Sequence, residues 1–384
     1  MKANLARQQA AYLKAHGSEM PPAVLAHALA TMLALQSLYF EDAPAASEAR
    51  SELSDPAYWS SLVPGASADP DALRAALALA AGERAGAAPP PASSSEALEQ
   101  QGFLIAEPQP RAAARVAALC ATLALVLAQL QRAGLPPHFA FVYNASWQLL
   151  AEHWVGAAAA ALGEGSVMEA DMSCWALQRD GGGAAAPAPY VGANFGASHR
   201  DQRYSACHAP SGAPSAVNLW TPFNACGARA DNGAMRVLPI PADAFFYSPE
   251  HPLHLDTGAS LREEGAEGAV RVLACGAGAA CVWVPSLVHW GGACAAGAEG
   301  QPRASLAVTF RAAGAPRSAF GDGGGGSSSG SSSIADGGPP PMLLAHLDAL
   351  PLARRLAYVA KGLLAYSHWF PGFPGVQLSK DPPL

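Results

Sequence analysis

Three stretches dominated by Gly, Ala, Ser and Pro divide this 384-residue chain, and what lies between them limits what it can fold into. They read GAAPPPASSSE (86–96), RDGGGAAAPAP (179–189) and GDGGGGSSSGSSSIADGGPPP (321–341). Such segments cannot bury enough apolar surface to offset the entropy of ordering them, so they are expected as linkers. The expected division is a helical N-terminal region with its Pro/Ser-rich linker (1–97), a central domain (98–312), a Gly/Ser-rich linker (313–341) and a C-terminal helical extension (342–384).

The central block opens with a short apolar strand in EQQGFLIAE, followed by a long helix pattern in PRAAARVAALCATLALVLAQLQRAG. A second helical stretch, NASWQLLAEHWVGAAAAALGEG, offers Asn144 or Ser146 as N-cap. The pattern then changes to short runs rich in Val, Trp, Phe and Thr: VMEADMSCWALQ, SAVNLWTPFNA, GAMRVLPI, AACVWVPSLVHW and RASLAVTFRA, punctuated by Gly and Pro. Strands following helices within one segment predict an α+β fold with a sandwich or jelly-roll core.

The formal net charge is −7, from 23 Lys+Arg against 30 Asp+Glu, with no long basic run. That argues against nucleic acid or an anionic membrane surface as the main partner. The most apolar run, Val116 to Ala128, is too short to span a bilayer and reads as a buried helix. Seven cysteines without a CxxC pair fit reduced thiols, hence an intracellular and most simply cytoplasmic protein. Neither the oligomeric state nor an organelle is legible.

Within FGASHRDQRYSACH, His199 and Asp201 stand two positions apart. On an extended segment residues i and i+2 project to one face, so imidazole and carboxylate would converge as two ligands of a divalent metal. On these two residues alone a polar surface loop is the favoured reading, and a metal needs a third ligand. His289, closing the apolar run AACVWVPSLVHW, is the candidate; His208 lies at an odd spacing from both and reads as a rim or structural residue. Arg303 and Ser305 in PRASLAVTF again share a face at i and i+2, with Ala307 and Thr309 beyond them. An arginine directed into a pocket of small residues calls for an anion, and a carboxylate gripped by both guanidinium arms is the natural one. Two histidines and one carboxylate with positions left open form the facial triad of non-haem Fe(II) oxygenases, and an Arg-x-Ser pair could hold the distal carboxylate of 2-oxoglutarate. His251 and His254 read as loop residues, Trp283 and Trp290 as packing.

The order His199-x-Asp201, His289, Arg303 resembles the phytanoyl-CoA dioxygenase family of Fe(II)/2-oxoglutarate oxygenases. EQQGFLIAE is similar to that family's opening strand, and AVNLWTPFNACGARADNGAMRVLPI to its middle strands, with a Trp before a polar turn and an Asn-Gly-x-x-x-Val-x-Pro segment. Where the family continues into a Pro-Gly-Ser-His turn, this chain reads LPIPADAFF. The resemblance implies a double-stranded β-helix (jelly-roll, cupin-like) core flanked by helices, with Fe(II) bound by His199, Asp201 and His289. It also implies 2-oxoglutarate anchored by Arg303 with help from Ser305, and a pocket lined by Trp220 and, on the strand before the triad, Gln178. The reaction implied is hydroxylation of a small organic or lipid-like substrate by O2, releasing succinate and CO2, with ascorbate as a possible reductant. Two other functions stay open on the residues alone: a cupin-like metalloenzyme not using 2-oxoglutarate, and a non-catalytic binding protein that retains the barrel.

Overall fold

The structure, a computed structural model, describes residues 53–84, 93–133, 135–177, 197–315, 342–343 and 350–365. The linkers expected at 179–189 and 321–341, and Gln178, lie outside the described residues. Ser93–Glu96, counted above with the first linker, instead form the opening of a helix, Ser93–Gln101, whose first turn carries Glu96. An acidic residue there complements the positive end of the helix dipole.

Before the strands come helices. Helix α1 (Pro56–Leu62) starts where Asp55 accepts from the Ala57 backbone N–H at 2.8 Å with Pro at the first helical position. It is followed by α2 (Pro70–Arg84), the Ser93–Gln101 helix α3, strand β1 (Phe103–Ala106) and α4 (Pro110–Arg132). Helix α4 is longer than its apolar run predicts, and at 23 residues it is long and apolar enough to cross a membrane by length and composition. In the fold it is one-sided: Ala112, Val116, Leu119, Cys120, Leu123, Val126 and Leu130 are buried at helical spacing. After a 3-10 turn (Pro137–Val142), α5 (Asn144–Leu149) runs through a π-helical turn at Leu150–Trp154 into α6 (Val155–Leu162). Tyr143, not Asn144 or Ser146, occupies the capping position, and no side chain caps the helix. Asn144 reaches outward instead: its Nδ2 donates to Ser67 Oγ (3.2 Å) and Asp69 O (2.9 Å), and its Oδ1 accepts from Arg355 Nη1 (2.6 Å).

Two antiparallel sheets follow. The larger, in the order β1-β6-β3-β8-β2-β9, contains β2 (Val167–Ala176), β3 (Ala216–Pro222), β6 (Ala280–Trp283), β8 (Ala304–Arg311) and β9 (Met342–Leu343). The smaller is β5-β4-β7, from Arg271–Val272, Met235–Val237 and His289–Gly291. Strand β8 lies between β2 and β3, with Leu306, Val308 and Phe310 on one face and Ser305, Ala307, Thr309 and Arg311 on the other. The apolar face packs against helices, where Trp154 Nε1 donates to Thr221 Oγ1 at 2.6 Å. The small and polar face turns to the smaller sheet, and the site is built there.

The run AACVWVPSLVHW, expected as one strand, is two strands in different sheets. Pro285 has no N–H to offer a ladder, and Leu287 N donates back to Val284 O (2.9 Å), so the chain turns between β6 and β7. His289 therefore opens a strand of the small sheet. The Asn-Gly segment is equally determined by local geometry: Gly233 has φ +100°, and a Cβ there would lie 2.1 Å from Leu177 Cδ1.

One apolar cluster joins residues of 53–77, the central region and the C-terminal helix α7 (Leu352–Ala365). Arg355 of α7 is fully buried and donates to Ala68 O, Val142 O and Asn144 Oδ1, tying three regions of the chain at one side chain. The start of the C-terminal piece, expected as helix, contributes β9 at Met342–Leu343 beside β2.

Candidate metal centre

His199 and His289 face each other across an isolated antiparallel bridge, each backbone N–H donating to the other's carbonyl at 3.0 and 2.9 Å. Both rings are held alike: His199 Nδ1 lies 2.9 Å from Ala197 O, and His289 Nδ1 2.9 Å from Leu287 O. A carbonyl can only accept, so in each neutral ring Nδ1 carries the hydrogen and Nε2 the lone pair. The two Nε2 atoms approach one carboxylate, His199 Nε2 at 3.4 Å from Asp201 Oδ1 and His289 Nε2 at 3.2 Å from Asp201 Oδ2. One ligand atom from each of the three residues lies within 4.8 Å of the others. Lone pairs aimed at a carboxylate repel it unless a cation or protons lie between, so the donor set fits a divalent metal. The side chains of His199 and Asp201 are 43% and 39% exposed and that of His289 only 3%, so the cluster has one buried wall and one open side.

Without a metal the charges still favour ionisation. Burial alone would raise the Asp201 carboxyl, but His289 and His199, when protonated, donate to it with positive charge, outweigh the burial and hold Asp201 below the usual carboxylate range. Burial would lower His199, and hydrogen bonding to Asp201 outweighs that and raises it.

Between the two ligands of the HRD stretch, Arg200 points the other way. Its guanidinium bonds Asp243 Oδ2 at 2.7 Å, His254 O at 2.7 Å and Ser260 Oγ at 3.3 Å, and also Ser286 O, with both charged side chains buried. Asp201 N and Gln202 N donate to Pro285 O at 2.9 and 3.2 Å. The ligand loop is thus pinned to the turn that delivers His289. His254, expected as a loop residue, lies in a turn but is buried, and holds Arg200 through its carbonyl.

Arg303 lies just before β8 and is buried, with Nη1 donating to Met235 Sδ (3.2 Å) and the guanidinium carbon 5.5 Å from the Trp220 ring centre. Burial lowers its pKa to about 10, which leaves it charged at neutral pH. Ser305 is fully buried, and its hydroxyl has no hydrogen-bond partner among the described residues; the same holds for Trp220 Nε1. Trp220 and Ala307 are register partners on the inner face, and Ser305 pairs with Pro222 and Trp175. His208 stacks on Tyr204 at 3.9 Å and stands outside the cluster. Trp283 packs at 5.1 Å from His289, so it walls the cluster.

Asn218 escapes a reading of motifs, and it gives Thr309, already placed on the pocket face, its role. Asn218 Nδ2 donates to Asp201 Oδ2 at 2.6 Å, and Thr309 Oγ1 to Asn218 Oδ1 at 2.8 Å. The available signal was spacing: Asn218 stands at i−2 from Trp220 and Thr309 at i+4 from Ser305, both on the pocket face.

No family model matches the chain, and no curated protein matches it. Solved structures do. AviO1 from Streptomyces viridochromogenes Tue57 is 20% identical, over 61% of this chain and 100% of that one, with a TM-score of 0.40. The non-heme alpha ketoglutarate dependent epimerase SnoN from nogalamycin biosynthesis is 16% identical, over 58% and 80%, at 0.36. EctD from S. alaskensis with bound Fe is 15% identical, over 59% and 78%, at 0.38. Likeness at this level leaves the chemistry of the site to its own geometry.

Proposed function

We propose that this chain is an Fe(II)- and 2-oxoglutarate-dependent oxygenase of the phytanoyl-CoA dioxygenase type. Its reaction is hydroxylation of a small organic or lipid-like substrate, with release of succinate and CO2. The observation that carries the proposal is the convergence of His199 Nε2, His289 Nε2 and the Asp201 carboxylate, each imidazole held in the tautomer that aims its lone pair inward. The paired antiparallel sheets support a double-stranded β-helix core, and residues 98–312 are the region we assign to the chemistry.

His199, Asp201 and His289 would hold Fe(II), which supplies the activation of O2 that a side chain cannot. The protein's own residues bind and orient. Arg303 offers a buried guanidinium to the distal carboxylate of 2-oxoglutarate, where low dielectric strengthens a charge-assisted pair. Ser305 adds a hydroxyl donor, and Trp220 packs against the guanidinium as a wall. Asp201 rather than a small residue at its position keeps a full facial triad, which favours hydroxylation. Seven free cysteines support a reducing, cytoplasmic location; Cys275 Sγ and Cys281 Sγ stand 3.6 Å apart.

The test is turnover of 2-oxoglutarate to succinate by the purified chain with Fe(II) and ascorbate, alone and with a metabolite extract searched for products heavier by one oxygen. Asp201→Ala and His289→Ala should abolish succinate formation. Full turnover by either variant would remove the triad from the mechanism, and with it the proposal.

A further inference from the structure

Asp201 is the only carboxylate in the described cluster, and its two oxygens are not equivalent. Oδ2 takes the 2.6 Å hydrogen bond from Asn218 and lies 3.2 Å from His289 Nε2, whereas Oδ1 lies 3.4 Å from His199 Nε2. The orientation of the Asn218 amide follows from chemistry alone. A carboxylate only accepts, so the group facing Asp201 is the NH2; the amide oxygen then faces Thr309, whose hydroxyl must donate. Asn218 and Thr309 sit directly opposite each other on β3 and β8, buried, and both are strand residues rather than loop residues. Thr309 is β-branched, so its side chain is stiff, and the strand pairing fixes where its hydroxyl points. The relay is rigid from its base to its tip.

We propose that Asn218, oriented by Thr309, is a positioning residue that anchors Asp201 Oδ2 and so fixes how the carboxylate faces the two imidazoles. A carboxylate free to rotate can meet a cation through either oxygen or both. Anchoring one oxygen holds the carboxylate in a single orientation. Hydrogen-bonded ligands of this kind are also oriented before the metal arrives, which raises affinity. The inference rests on the metal-site reading above and extends it to residues that touch no metal.

The test uses Co(II) as a spectroscopic probe with the full chain, titrated against a competing chelator. Thr309→Val keeps the side-chain volume and the Asn218 amide but frees it to turn, and Asn218→Ala removes the donor. Both are expected to weaken Co(II) binding about 10-fold or more and to change the visible absorption, which reports coordination number. Thr309→Ser, which restores the hydroxyl, should recover affinity and spectrum. Asn218→Ala can lose folding, so Thr309→Val decides the matter, with the melting of metal-free protein measured alongside. Wild-type affinity and spectrum in Thr309→Val, whatever its melting temperature, overturns the positioning role and leaves the metal site standing. Failure of the wild-type chain itself to take up Co(II) overturns the metal site, and the relay with it.

Discussion

Replacing Arg200 by Met removes the charge that holds the ligand loop while keeping a long apolar stem. In the structure Asp243 has no exposed side-chain surface, and Arg200 is its ion-pair partner at 2.7 Å. The substitution leaves a buried carboxylate uncompensated, and the carbonyls of His254 and Ser286 lose their donors at the same time. Breaking a buried pair from one side costs about 3–5 kcal/mol, and the orphaned acceptors place this case at the upper end of that range. Adding Asp243→Asn to Arg200→Met removes the stranded charge but keeps an acceptor for the Ser260 hydroxyl, which now donates to Asp243 Oδ1 at 3.0 Å. The double variant should recover on the order of 2 kcal/mol. Urea denaturation in the presence of a chelator measures both differences without metal linkage. A loss of less than about 1 kcal/mol, the worth of an exposed pair, or no recovery in the double variant, would refute the reasoning.

Three other predictions follow from the same geometry. Arg303→Met should raise the 2-oxoglutarate concentration for half-maximal binding at least tenfold while leaving Co(II) affinity unchanged; equal 2-oxoglutarate affinity by calorimetry would assign the guanidinium another partner. His138 is fully buried, and burial lowers its pKa to about 3 from the ordinary 6.5. The folded state therefore binds fewer protons than the unfolded one between those values, so its stability is full above pH 6.5 and lost as pH falls toward 3, by up to about 1.4 kcal/mol per pH unit. Comparing the pH dependence of wild type with His138→Met between pH 7 and 5 checks this, and identical slopes would contradict it. Gly362 in α7 lets the helix approach β2, since a Cβ there would lie 2.6 Å from Met172 O and 2.9 Å from His138 Cδ2. Gly362→Ala should accordingly cost roughly 1–3 kcal/mol, despite alanine's better helix propensity, in the same denaturation assay.

Local pattern carried a good part of this molecule. Period-two alternation in RASLAVTFRA separates Leu306, Val308 and Phe310 from Ser305, Ala307 and Thr309, and the strand is built with those faces. The change from helical to strand pattern after the second helix is likewise real, because neither depends on a distant partner. The single strand expected across AACVWVPSLVHW failed where apolar content hid a proline turn. The Ser93–Glu96 stretch failed the other way: its composition suggested a linker, yet Glu96 lies in the first turn of a helix.

Sequence by itself determined which side chains could share a face: His199 with Asp201, and Arg303 with Ser305. These follow from backbone geometry within a few residues. Tertiary structure alone decided that His289, on β7 of the smaller sheet, closes on His199 across a bridge, that Asn218 and Thr309 stand in register behind Asp201, and that Asp243 receives Arg200. Each of those meetings depends on strand register and on the packing of one sheet over the other. A one-residue slip would send every side chain to the opposite face, and register is set by the whole buried face rather than by any residue in it.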